Sequence, residues 1–523
     1  MSDAGAKERR NKGIRAILEK GFTAVEGVLD RVFTPRLNPL TQLGALSYFY
    51  FWIVSATGIY LYILFGTSVA SAYGSVEYLT IQQWYFGGVM RSLHRYGSDA
   101  LVITMMLHLL REYAFDRYRG VRWFTWFTGV PLIWLTLAAG ISGYWLVWDQ
   151  LAQYIATATF EWLDWIPIFG EPIANNFLTR GSMDDRFFTL LIFLHIFLPL
   201  MLLFAMWIHV LRISRPKVNP PIGLALGTIF MLTVLSFFKP ALSHPPADLG
   251  VVPELVQLDW YYLFVYPLID HWPAGIVWAA LVGFSTFLCF MPWMPPIKRP
   301  KAAQVFDDRC NGCKRCFEDC PYGAVIMGPR TDGRPYPHIA VVNSSLCTGC
   351  GICVGACPTS TPFRTGQELV TGIDLPDRTL QDLRTQAVEA MNALKGDRKI
   401  VVFGCDHGVD VDALQSTDTA AIRLPCIGML PPPFIDFALS RGGIEGVFLT
   451  GCRPGECYQR LGVEWTKARI NRIRDPYLRE RVPRDRLGMF WAAPGEVDAL
   501  KEAIKSFRKD LKPTPRAKGG ENA

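Results

Sequence analysis

Cysteine is nearly absent from the first 300 residues of this 523-residue chain: Cys289 alone lies there, and the other twelve cysteines follow. A disulfide framework in the front half is therefore excluded. The crowding of the twelve at metal-type spacing points to a reducing compartment and iron chemistry. Histidine is scarce, with eight in all. Between residues 66 and 90 there is no lysine or arginine. The first twenty residues are polar and basic, without the apolar run and small-residue cleavage site of a secretory signal. No Gly-rich nucleotide-binding loop occurs, so a flavin or nicotinamide would have to be held elsewhere. Charged residues make up only 19% of the chain against 50% hydrophobic ones, which excludes a wholly soluble protein as the simplest reading. The net charge of +7 accompanies long apolar segments, so it reads as membrane orientation and not as nucleic-acid binding.

Six apolar segments approach the length of a spanning helix, at about 43–65, 91–115, 127–148, 186–211, 222–242 and 273–295. Before them, Gly13 to Val32 has an amphipathic pattern (Ile14, Ile17, Leu18, Phe22, Val25, Val28, Leu29) in a stretch of 40 residues with eight Lys/Arg. That predicts a helix on the cytoplasmic membrane surface. Basic residues cluster at 111–123, 212–221 and after 295. The positive-inside rule then places these segments and both termini in the cytoplasm of a bacterial or archaeal inner membrane.

Four of the eight histidines lie in two of these segments at one interval: His94 and His108, then His195 and His209. Fourteen residues are close to four helical turns, about 21 Å along the axis, so both histidines of a pair share a helix face. Two such helices facing each other would offer two His/His pairs at two depths, a cradle for two stacked haems. Arg91, Arg111 and Arg212 each stand three residues from a histidine and are placed to neutralise haem propionates. Gly44 and Gly58, and again Gly129 and Gly143, repeat the fourteen-residue interval. A missing side chain there lets a flat macrocycle approach the backbone, although small residues also serve ordinary helix packing.

Residues 30–295 resemble the cytochrome b of cytochrome bc complexes. The four histidines, the four glycines and Arg91 carry the resemblance, with GYWLVWDQ (143–150), IPIFGEP (166–172), HPPADLG (244–250) and LDWYYLFVYPLI (258–269). It implies that His94 and His195 hold a haem b on the outer, positive (p) side, and that His108 and His209 hold one on the cytoplasmic (n) side. It further implies a p-side quinone pocket lined by Asp259 and Tyr261, with Asp259 as proton carrier. The chain departs from the pattern in three places. Leu258-Asp259 replaces a Pro-Glu, Ser214-Arg215-Pro216-Lys217 lacks the n-side histidine, and the usual seventh and eighth helices are missing.

Two cysteine runs stand after Pro300: CNGCKRCFEDCP (310–321) and CTGCGICVGACP (347–358). Each is C-x2-C-x2-C-x3-C-P, the bacterial two-cluster ferredoxin spacing, in which the fourth cysteine of each run ligates the other cluster. The expected sets for two [4Fe–4S] clusters are Cys310, Cys313, Cys316 and Cys357, and Cys347, Cys350, Cys353 and Cys320. An α/β pattern follows. Strands at 399–404, 420–425 and 446–451 end at Cys405, Cys426 and Cys452, and Cys457 comes five residues later. Helices are expected at 378–395, 432–443 and 458–473. A parallel sheet would gather the four cysteines on its carboxyl edge as one more metal site. Residues 398–500, and TGCRPGECYQRLG (450–462) above all, resemble the delta subunit of methyl-viologen-reducing hydrogenase. That resemblance implies a [2Fe–2S] cluster, with zinc as the alternative and His407 as a possible stand-in ligand.

The expected architecture is a multidomain chain: an α-helical membrane bundle of six spans, a ferredoxin-like α+β domain and a small α/β parallel-sheet domain. The boundaries are a surface segment at 1–40, the di-haem domain at 41–297, the ferredoxin domain at 298–362, a linker at 363–397, the delta-like domain at 398–510 and a disordered tail at 511–523. The expected role is an electron wire between the quinone pool and a cytoplasmic flavoprotein carrying FAD and linked to NAD(P)H, in a larger complex that is typically dimeric for cytochrome b. Two alternatives stand beside it. One is an anchor for a heterodisulfide-reductase-like complex without quinone turnover. The other is a quinol-bifurcating subunit, which would need a separate Rieske partner because this chain has no such segment.

Overall fold

The computed structural model describes residues 13–511, except 169–171, 174, 176–177, 179–184, 214–215, 254, 296–299, 364–368, 397 and 442, and the side chains of 121 and 441. Part of IPIFGEP, Ser214-Arg215 and the tail 512–523 lie outside the described residues. The chain forms two compact units. The first comprises Val28–Leu211 and Pro216–Pro296 with the residues up to Phe22; the second comprises Ile297–Ala523 with Thr23–Gly27 and Arg212–Arg215.

The first unit is helical. It opens with α1 (Ile14–Leu37), whose backbone leaves the helical region at Thr34, just before Pro35. Ile14, Ile17, Val25, Val28 and Val32 on α1 are exposed, as a membrane-surface helix requires. Next come α2 (Leu43–Leu64), the short α3 (Ala72–Glu77), α4 (Gly87–Ala114), α5 (Trp123–Val147), α6 (Gln150–Leu163), α7 (Asp185–Val210), α8 (Ile222–Phe238), α9 (Val265–His271) and α10 (Ala274–Phe290). Helices stand at all six expected positions. Among the described residues, four are long and apolar enough to cross a membrane: Pro39–Leu64, Trp123–Val147, Asp185–Val210 and Ala274–Trp293. Helix α8 is apolar but has only 17 residues. Helix α4 is 28 residues long, but Arg91, Arg95, Asp99, Arg111 and Glu112 lower its apolarity.

The bundle is built on two tightly packed antiparallel pairs, α2 with α4 and α5 with α7. At the end of α5 the chain turns through Trp148, which takes a left-handed conformation (φ 52°). Asp149 then caps α6 by accepting from the Ala152 N–H at 2.9 Å, and its other oxygen accepts from the His244 N–H at 2.9 Å. One carboxylate thus starts a helix and fixes the HPPADLG loop.

The second unit contains both cysteine-rich segments. A hairpin of β2 (Val325–Pro329) and β3 (His338–Val342), and a smaller pair of β1 (Gln304–Val305) with β4 (Ile373–Asp374), flank two five-residue helices, α11 (Arg315–Asp319) and α12 (Ile352–Ala356). Helix α13 (Leu380–Asn392) starts in a capping box between Thr379 and Asp382. A parallel sheet follows in the order β6-β5-β7-β8, from β5 (Ile400–Cys405), β6 (Thr419–Leu424), β7 (Gly446–Gly451) and β8 (Leu487–Trp491). It packs with α14 (Pro432–Arg441), α15 (Gly462–Ile470) and α16 (Val497–Asp510). β8 and α16 extend the α/β pattern beyond the three strands read from the sequence. The helix expected at 458–473 begins only at Gly462, because Arg460 takes a left-handed conformation (φ 67°) that an α-helix cannot continue through. Buried residues from Ala303 to Val482, including Cys316, Cys353, Cys405, Cys452 and Cys457, form one continuous core, so the two cysteine-rich segments fold against each other.

Candidate redox centres

Each of the four glycines meets one of the four histidines. A Cβ built on Gly58 would stand 2.9 Å from His94 Cε1, one on Gly143 2.9 Å from His195 Cε1, one on Gly129 3.1 Å from His209 Cε1 and one on Gly44 3.3 Å from His108 Cε1. The equal intervals in glycine and histidine are what two antiparallel helices need to match both depths. What the missing side chain admits is the imidazole edge.

The rings are held by the helix they face. His94 Nδ1 lies 3.0 Å from the Val54 carbonyl, and His195 Nδ1 lies 2.9 Å from the Ala139 carbonyl. A carbonyl can only accept, so each ring carries its proton on Nδ1 and keeps the Nε2 lone pair for a ligand. His209 Nδ1 lies 3.2 Å from the Thr128 hydroxyl. The ring centres of His94 and His195 are 6.3 Å apart. An iron held between two imidazole nitrogens at about 2 Å from each requires ring centres about 6 Å apart. The pair fits a bis-histidine haem.

The arginines read as propionate partners have protein partners. Arg91 is buried, donates to Thr80 Oγ1 and to Ser243 Oγ at 2.7 Å, and lies 3.4 Å from Glu77. Arg111 lies 4.8 Å from the Phe115 ring centre and 3.9 Å from Glu112. Arg212 follows the end of α7.

Asp259 accepts from the Tyr144 hydroxyl at 2.5 Å and from Arg95, which also pairs with Asp99. The Arg95 guanidinium is 4.8 Å from the Tyr144 ring centre and hydrogen-bonds Tyr261. Arg95 follows His94 in sequence, and Tyr144 follows the glycine that faces His195. Asp259 and Tyr261 thus share the cation Arg95, one residue along the chain from His94. Sequence reasoning missed Arg95, Asp99 and Tyr144. The available signal was a charged pair four residues apart inside an apolar helix.

In the second unit Cys310, Cys313, Cys316 and Cys357 line one cavity with Gly312, Met327 and Ala340. Cys353 lies in the field of Cys350, Cys347, Cys316 and Cys320, and Cys350 in that of Cys320 and Cys347, so the second set is gathered with the first close to it. Backbone N–H groups of Ala303 and Ala324 point at the Cys347 and Cys320 sulfurs at 3.4 and 3.3 Å. The runs repeat their backbone: Gly312 and Gly349, then Lys314 and Gly351, all take positive φ. The second copy needs glycine at its last position because Met429 packs there, 2.7 Å from an added Cβ. Burial pushes the Cys316 and Cys350 thiols up to about 12, so metal loading must displace their protons.

The last four cysteines are all buried. Cys405 Sγ and Cys452 Sγ are 3.7 Å apart, and Cys457 hydrogen-bonds both Cys452 and Cys426. The Cys426 and Cys452 thiols, donating to Cys457, hold it well below the usual thiol range. His407 stacks on Tyr458 with ring centres 3.6 Å apart. Among the described residues, no three His, Cys, Asp or Glu groups converge on a single-ion position.

Comparison with known proteins follows this division. Residues 28–216 match the cytochrome b/b6/petB family model, 309–361 match the 4Fe-4S dicluster domain, and 400–513 match the delta subunit of methyl-viologen-reducing hydrogenase. The chain is a fusion of these three domains. Cytochrome b of Acanthamoeba castellanii is 26% identical over 294 residues, covering 50% of this chain and 75% of that protein. Cytochrome b/c1 of Bradyrhizobium diazoefficiens is 27% identical over 314 residues, covering 52% of this chain and 45% of that protein, so the fusion spans less than half of the latter's length. A chain of the solved structure "Hyperthermophilic respiratory Complex III" aligns with a TM-score of 0.40 at 20% identity, over 49% of this chain and 74% of that one. The fusion is an electron-transfer, multi-pass membrane protein. Its cytochrome b part implies haem b, and its dicluster part implies two [4Fe–4S] clusters.

Proposed function

We propose that this fusion is the membrane subunit that carries electrons between the quinone pool and a cytoplasmic flavoprotein linked to NAD(P)H. Asp259 carries the proposal: its partners Arg95 and Tyr144 are chain neighbours of His94 and of the glycine facing His195. A quinone exchanging two electrons and two protons there would have a carboxylate for the protons and a haem site next to it for the electrons. His94/His195 and His108/His209 would hold the p-side and n-side haems of a six-span bundle, and haem supplies one-electron transfer when bound. The two crossed cysteine sets would hold the [4Fe–4S] clusters. The third set would hold the [2Fe–2S] cluster that the delta-subunit resemblance implies, with zinc as the alternative for four thiolates.

Transfer of an electron across the membrane is worth about 2.3 kcal/mol per 100 mV. Electrons moving from the cytoplasm to a p-side quinone run with the field, so quinone reduction by the cytoplasmic donor is the favoured direction. In the purified assembly, NAD(P)H reduces haem b and added quinone reverses the reduction. If no cytoplasmic donor ever reduces haem b, the proposal fails. Asp259→Asn separates this role from an anchor without quinone turnover, which would keep full activity in the variant.

A further inference from the structure

One arginine joins the two iron–sulfur segments of the second unit. The Arg469 side chain is 1% exposed, and its Nη1 and Nη2 groups are placed on acceptors while its buried Nε has none. The guanidinium donates to the Gly428 carbonyl at 2.9 Å, to the Ile352 carbonyl at 3.4 Å and to the Asp319 carboxylate. Each partner sits beside a cysteine. Asp319 immediately precedes Cys320, Ile352 lies between Cys350 and Cys353, and Gly428 comes two residues after Cys426. Arg474 donates to the other oxygen of Asp319 at 2.5 Å, so the carboxylate does not cancel the charge of Arg469.

The surrounding contact is apolar. Cys350, Ile352, Cys426, Leu461 and Trp465 form one buried apolar cluster. The Trp465 indole N–H donates to the Asp319 carbonyl at 3.2 Å. An added Cβ on Gly428 would meet Ile352 at 3.0 Å, and one on Gly355 would collide with the Gly428 carbonyl. Helix α12 thus lies directly on the loop that follows Cys426.

We infer that Arg469 is the positioning residue for electron exchange between the second ferredoxin-type cysteine set and the Cys405/Cys426/Cys452/Cys457 set. The inference rests on the reading that both sets hold clusters. The step moves one electron from a reduced cluster to an oxidised one, with no bond made or broken and no proton required. Clusters held by four thiolates are anionic, so a fixed, desolvated cation between them favours the added electron on either. Its three donors also hold the ligand-bearing backbones at one separation, which electron exchange requires.

The test uses the full-length chain, purified without oxygen, as wild type, Arg469→Gln, Arg469→Lys and Arg479→Gln. Iron and acid-labile sulfide counts come first and test the cluster reading by itself: a wild type without the two irons of the third cluster sinks that reading and the inference with it. Redox titration followed by paramagnetic resonance then reads the inference. In Arg469→Gln at full iron content, the reduction equilibrium of both clusters falls at least tenfold, about 59 mV for one electron, and their magnetic coupling weakens. Arg479→Gln, the same charge change on an exposed side chain, leaves both unchanged. Arg469→Lys keeps the charge but loses the fork, so its potentials stay near wild type while the coupling weakens. Unchanged potentials in fully loaded Arg469→Gln overturn the inference, as does an equal shift in Arg479→Gln. If Arg469→Gln does not load iron, Arg469→Lys decides: weakened coupling supports the inference and wild-type coupling overturns it.

Discussion

Replacing Gly143 by alanine puts a methyl carbon 2.9 Å from His195 Cε1, closer than real Cβ contacts come, so one partner must move. The imidazole cannot retreat freely, because Nδ1 is tied to the Ala139 carbonyl at 2.9 Å and sits 3.0 Å from the Ser142 hydroxyl. A shift of a few tenths of an ångström would spend that hydrogen bond, worth about 1 kcal/mol. Loss of such a supporting bond lowers metal affinity about 10- to 100-fold. Gly58→Ala has the same 2.9 Å clash, with His94. Gly129→Ala, at 3.1 Å, and Gly44→Ala, at 3.3 Å, are progressively easier to absorb. A haem held by His94 and His195 is therefore expected to be lost first, and one held by His108 and His209 last. The assay is the haem content of the purified variants, with redox difference spectra separating the two b haems. If Gly44→Ala loses haem while Gly143→Ala keeps both, the reasoning is refuted.

Other consequences follow from the same contacts. Arg95→Gln frees Asp259 from its cation and lowers quinone turnover as much as Asp259→Asn, while Tyr144→Phe, which removes one of the two bonds, costs less; steady-state quinone reduction checks the order. Cys457→Ser removes about two irons per chain and spares the [4Fe–4S] resonances; loss of all iron would contradict independent sites. Asp319→Ala strands the buried Arg469 and destabilises the second unit by about 3–5 kcal/mol. Asp436→Ala leaves Arg479 and Arg481, which are 45% and 59% exposed, free to return to water and costs about 1 kcal/mol or less. Thermal unfolding of the full chain compares the two, and an equal loss would contradict the burial argument.

The histidines, glycines and ferredoxin-type cysteines were legible because each repeats at a fixed interval that helix geometry or cluster geometry imposes. The strand ends at Cys405, Cys426 and Cys452 were legible because buried parallel strands read as short apolar runs. β8 was not, since LGMFW mixes small and apolar residues and lies beyond the last cysteine. The late start of α15 follows from the left-handed backbone of Arg460 (φ 67°), which the fold imposes and the residue type does not announce. Arg469 was invisible for the same reason. It stands in an ordinary basic helix, and only folding brings Asp319, Ile352 and Gly428 around it. Arg95 and Asp259 are 164 residues apart, so their pairing too was out of reach of local pattern.

The central claim is that electrons pass between the iron–sulfur segments and the haems of one chain. The most direct measurement is anaerobic stopped-flow of the purified chain, mixed with a reduced low-potential viologen and followed at the haem b band, then with added quinone. The account predicts cluster reduction, then haem b reduction, then reoxidation of haem by quinone that is lost in Asp259→Asn. Haem b that stays oxidised while the clusters are fully reduced would contradict it.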